Sequence, residues 1–161
     1  AISYYTDYIR KEGEEVKIAD YFSLGQTYYI AASAFLPQDN TPLSEADSLK
    51  MMPYALAADS LFGYVAERVP DSYMGNFWRA RTNSVIDHLS TAGLAKPYYE
   101  KAIELIDPEK NPKQLLEAYR YMAYYYYLQE DRDNSLKYCD LILGMAPDDA
   151  MATAISGNLR Q

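Results

Sequence analysis

A chain of 161 residues that is 49% apolar and 14% aromatic is long and hydrophobic enough to close a continuous core, which argues against intrinsic disorder. Its formal charge of −8, with no run of Lys or Arg longer than two, lacks the basic footprint that nucleic acid or an anionic membrane surface requires. No apolar run reaches the roughly 18 residues of a membrane span, and the single cysteine, Cys139, excludes an internal disulfide, so cysteine usage leaves the compartment open.

Every segment reads as helix, and nothing alternates with period two over the length of a strand. Residues 1–11 carry Ile2, Tyr5, Tyr8 and Ile9 at helical spacing, and Gly13 is placed to cap them. Residues 14–35 form a long predicted helix with Val16, Ile18, Tyr21, Leu24, Gly25 and Tyr28 on one side. Gly25 inside it costs about 1 kcal/mol against Ala, which implies close packing on a neighbouring backbone. The stretch 36–41 is turn chemistry. Ser44-Glu45-Ala46-Asp47 resembles a capping box that opens a short helix, which Pro53 is expected to end or kink. The next helix runs over 54–69 with Ala58, Leu61, Phe62 and Val65 inward, and Asp71 is the expected N-cap of a helix over 72–87. After a loop at 88–93, a helix starts near Pro97 and ends at Ile106. Asp107 to Pro112 is a double-proline turn, with Asn111 as cap and Pro112 at the first helical position. Helices over 112–129, 132–145 and about 149–156 complete the chain.

One segment sets the pattern for the rest. Tyr119, Met122, Ala123, Tyr126, Ser135, Cys139, Ile142 and Pro147 fall on the spacing W-x2-L-G-x2-Y followed by A-x3-F-x2-A-x4-P. Tyr21, Leu24, Gly25 and Tyr28, with Ala58, Phe62, Val65 and Pro70, give a second copy split by an insertion. A third spans Tyr73 to Pro108: Tyr99 and Ala102 fit, but Asn76, Arg79 and Asn83 stand where W, L and Y belong and only Ala80 suits the small slot. Ala1, Ile2, Tyr5 and Tyr8 fit the second helix of a copy whose first half is missing.

On these residues the chain resembles the tetratricopeptide repeat family, and Trp78–Arg81 with Gly93–Leu105 is similar to a bacterial subfamily of it. The resemblance implies an all-α fold, a right-handed α-α superhelix of stacked antiparallel hairpins. Its expected parts are a partial repeat at 1–13, a repeat at 14–70 with an insertion at 36–53, repeats at 71–108 and 112–147, and a capping helix at 148–158. The whole is expected to be a piece of a longer chain.

No residue pattern points to catalysis. His88 is the only histidine and sits at a helix end. Cys139 falls on a core slot, and no motif places a His beside it. Asp131-Arg132-Asp133 begins like a calcium loop, but Leu136 and Ile142 stand where Gly and Glu are required. No enzyme activity, cofactor, metal or nucleic acid is therefore expected. The resemblance implies a scaffold that holds a protein or peptide in a groove lined by first helices; the oligomeric state is left open, with a monomer slightly favoured. By register the groove residues are Phe22, Gln26, Tyr29, Phe77, Arg81, Ser84, Arg120, Tyr124 and Tyr127. The Lys and Asn pair of a carboxylate clamp has no counterpart there. Two alternatives are a spacer or self-association segment of a larger repeat protein, and a recruiting module fused to an enzyme elsewhere in the chain.

Overall fold

The computed structural model describes residues 17–161, so the expectations for residues 1–13 and for the opening turn of the first long helix lie outside the described residues. Seven helices follow in order: α1 (Ile18–Ser33), α2 (Glu45–Arg68), α3 (Met74–Ile86), α4 (Lys96–Leu105), α5 (Pro112–Leu128), α6 (Arg132–Met145) and α7 (Ala150–Leu159). No strand occurs among the described residues.

Helix ends follow local chemistry. Asp20 reaches back to the Lys17 N–H at 3.1 Å to open α1. The Ser44 hydroxyl accepts from the Asp47 N–H at 3.1 Å, which is half of the expected capping box, and donates to the Asp47 carboxylate at 2.7 Å in place of the backbone N–H of the full box. Asp131 and Asp149 cap α6 and α7 through the N–H groups of Asn134 and Ala152. Proline stands in the first turn of both α4 and α5.

Three expectations change. Pro53 neither ends nor divides α2, which runs unbroken through 24 residues. The carbonyl of Leu49 loses its N–H partner, but on the solvent side of the helix, where Leu49 is 70% exposed and water can take the bond. Asp71 does not cap α3; its Met74 N–H is met by the Ser72 hydroxyl at 3.3 Å. Asn111 occupies the N-cap of α5 without a side-chain cap bond, and Asp107 instead accepts from the Glu109 N–H at 3.0 Å.

Each helix packs on the next, and α1 also meets α3 as α5 meets α7. Three buried clusters follow one another along the chain. The first joins Ala32, Met51, Ala55 and Val85 of α1 to α3. The second joins Phe77, Tyr99, Leu115 and Met122 of α3 to α5. The third joins Ala123, Cys139, Ile142 and Ile155 of α5 to α7. A hairpin cannot bury its own apolar stripe, so its neighbours share each core.

Candidate partner-binding face

The face in question is formed by α1, α3 and α5. Its centre is Trp78, the only tryptophan in the chain. Phe22 and Tyr29, two turns apart on α1, meet its ring nearly edge-on, with centroids at 5.8 and 5.3 Å. Phe62 of α2 approaches from beneath at 5.6 Å. One turn on, the Arg81 guanidinium lies 4.7 Å from the centroids of both Trp78 and Phe77.

Arg81 also crosses to the next hairpin. The backbones of α3 and α5 do not approach one another. The space between them is spanned by a two-pronged ion pair in which Arg81 Nε and Nη2 donate to Glu117 Oε1 and Oε2 at 2.7 Å each. Tyr99 of α4 offers its hydroxyl to Glu117 Oε1 at 3.4 Å. The Ser84 hydroxyl is buried at the same place, facing that of Tyr99. The hydrogen bond that Arg81 donates to Glu117 outweighs burial and raises Arg81 above its ordinary value. Burial, reinforced by the Glu117 carboxylate, pushes the Tyr99 phenol up. Arg81 is therefore a fixed cation and Tyr99 a fixed neutral donor at physiological pH. Neither is poised to exchange a proton.

Further along α5, Arg120 is paired although its side chain is 46% exposed. Its Nε donates at 2.7 Å to Asp149, whose side chain is 3% exposed and whose other oxygen caps α7. Burial works against the charged form of Asp149, but the Ala152 N–H and the Arg120 guanidinium more than offset it and hold the carboxyl below its ordinary value. Tyr124 is 37% exposed. Tyr127 lies against the Ala123–Cys139 cluster.

The nine residues expected on a groove thus divide. Phe22, Tyr29, Arg81 and Ser84 come together around Trp78 and Glu117, and Gln26 lies between the first two on α1. Phe77 is a correction: at 2% exposure, edge-on to Tyr73 and Tyr99, it belongs to the core rather than to any groove. Arg120 pairs with Asp149 at the start of α7, Tyr127 packs against the cluster shared by α5 to α7, and Tyr124 is exposed. Trp78, Glu117 and Asp149 escape the sequence pattern, although a lone tryptophan next to an expected groove residue was a usable signal.

Among the described residues no three His, Cys, Asp or Glu side chains gather as a metal site. Cys139 is buried, and burial raises its thiol. His88 Nε2 lies 2.9 Å from the Thr41 carbonyl, tying two loops together. Among the described residues no helix is long and apolar enough to cross a membrane.

No family model matches the sequence, and no curated protein matches it significantly. Among solved structures, the C-terminal part of a TPR repeat-containing protein from Cytophaga hutchinsonii is similar, with a TM-score of 0.61 and 29% sequence identity over 96% of this chain. This is a tetratricopeptide repeat fold. The chain spans 65% of the length of that solved chain.

The repeat positions account for the packing. Leu24, Ala58, Phe62 and Val65 are buried in one hairpin, and Met122, Ala123, Ser135, Cys139 and Ile142 in another. Inside the latter, Ser135 donates its hydroxyl to the Ala123 carbonyl at 3.0 Å, so the small slots of two helices meet through a hydrogen bond. The odd third copy also gains a reason. Arg79 and Asn83, standing in apolar slots, both bond Asp59 of α2, with Arg79 two-pronged at 3.1 Å and Asn83 at 2.8 Å. A polar cluster replaces apolar packing between those hairpins.

Proposed function

We propose that this chain is a non-enzymatic scaffold that holds an extended protein segment across α1, α3 and α5. The supporting observation is the assembly around Trp78, where Phe22, Tyr29 and Arg81 converge from two hairpins. Rigid aromatic rings give contact area at low entropic cost, and amide and hydroxyl groups such as Gln26 fix a peptide backbone. The test is affinity capture from a lysate of the source cells by wild type and by Tyr29→Ser/Tyr124→Ser. The variant should keep its helicity and lose the retained protein; equal capture by both would contradict this site.

A second reading, self-association, has its own observation. Leu49, Pro53 and Leu56 form a stripe on the outer face of α2, with the two leucines 70% and 54% exposed. Sedimentation at micromolar concentration would show a dimer that Leu49→Glu dissolves, whereas a monomer throughout removes this reading.

A further inference from the structure

We propose that Glu117 is the specificity-determining residue of the partner-binding face: by occupying Arg81 it excludes acidic segments and leaves a face suited to an uncharged aromatic or aliphatic one. The proposal rests on the scaffold reading above and goes beyond it in naming the partner's chemistry.

The argument starts from a census of charge. Helices α1, α3, α5 and α7 together carry four basic side chains, Arg79, Arg81, Lys113 and Arg120. Three of these are already taken, by Asp59, Glu117 and Asp149. Lys113, exposed in the first turn of α5, stands one helical turn before Glu117 on the same side of the helix and, among the described residues, is the one basic side chain of the four left without an ion pair. The acids on the same helices are Asp20, which caps α1, and Glu117 itself. Apart from Lys113 at the start of α5, what is left to meet a partner is uncharged: Phe22, Gln26, Tyr29, Trp78 and Tyr124.

Arg81 would be the natural anchor for a carboxylate, because its planar fork matches one. Glu117 already fills both prongs at 2.7 Å, and the guanidinium lies over two aromatic rings that fix its plane. An acidic peptide could reach Arg81 only by expelling Glu117. It would exchange one carboxylate for another and strand the Tyr99 hydroxyl. It would also compete against a group tethered to the same fold, whose effective concentration exceeds that of any free peptide. A basic segment gains little either, since Glu117 is neutralised by Arg81. Selectivity of this kind comes from what a face withholds as much as from what it offers.

Selection of random dodecapeptides displayed on phage, against wild type and Glu117→Gln, tests this directly, with circular dichroism to verify the fold. The wild-type pool should be depleted in Asp and Glu relative to the library. The Glu117→Gln pool should be enriched in them, and an acidic peptide from it should bind the variant at least about tenfold more tightly than wild type. Should the variant not fold, the wild-type peptides still decide the matter: their affinity should change little between about 0.05 and 0.5 M NaCl. A wild-type pool rich in acidic peptides whose binding disappears in Arg81→Gln would overturn the role of Glu117 and leave the scaffold reading standing. If neither protein enriches any peptide, both fall.

Discussion

Phe62 presses its ring against the backbone of Gly25, so closely that a β-carbon at Gly25 would lie 2.8 Å from Cε1. This contact seats α1 on α2, and it explains why a helix-weakening residue is kept in mid-helix. Gly75 is tighter still: a β-carbon there would meet the backbone nitrogen of Ala66 at 2.6 Å.

A graded prediction follows for glycine substitutions. Gly25→Leu should cost about 1–3 kcal/mol through overpacking. Gly75→Ala should be damaging for so small a change, because a backbone cannot move aside as a ring can. Gly144→Ala, with nothing within 4 Å, should stabilise α6 by about 0.5–1 kcal/mol. Urea midpoints of the three variants check the order, and an unchanged midpoint for Gly25→Leu would refute the hairpin contact.

The Asp59–Arg79–Asn83 cluster should behave as a unit. Arg79 and Asp59 side chains are 26% and 22% exposed, so removing the carboxylate leaves a partly desolvated cation. Asp59→Ala should cost about 1–3 kcal/mol. Adding Arg79→Met should recover part of that loss, giving a coupling of about 0.5–3 kcal/mol in a double-mutant cycle. Strictly additive losses would show that the cluster does not hold α2 to α3.

Asp149 gives the fold a pH dependence of defined sign. Its folded value lies below the ordinary 3.8, so the stability it confers is present above that value and lost as pH falls through the folded one. Asp149→Asn should therefore be less stable than wild type at neutral pH, by about 0.5–2 kcal/mol. The gap should close at acid pH, once the carboxyl is protonated in the folded state as well. Urea titrations at the two pH values measure this; a gap of constant size would mean that the carboxylate's charge is not what holds α7.

What could be read in advance was whatever depends on neighbours along one helix or on a fixed repeat spacing. Gly25, Ala123, Ser135 and Cys139 are legible because a close helix crossing demands small or compact side chains at set intervals. The cap at Ser44 is legible because its partner, Asp47, is three residues away. Pro53 misled because its local cost depends on which side of the helix loses a bond, and only the tertiary fold decides that. The pairing of Arg81 with Glu117 joins residues 36 apart, and that of Arg120 with Asp149 residues 29 apart; no local pattern encodes either. So the register assigns Arg81 and Arg120 to helix positions but could not show that both are already paired.

Trp78 offers the most direct test of the central claim, that a partner is held across α1, α3 and α5. It is the only tryptophan, and it lies among Phe22, Tyr29 and Arg81 of that face. Titrating the protein with a captured or selected peptide should shift Trp78 emission in a saturable way, with one peptide bound per chain. Binding of that peptide seen by calorimetry, with Trp78 emission unchanged, would place the partner elsewhere and contradict the account.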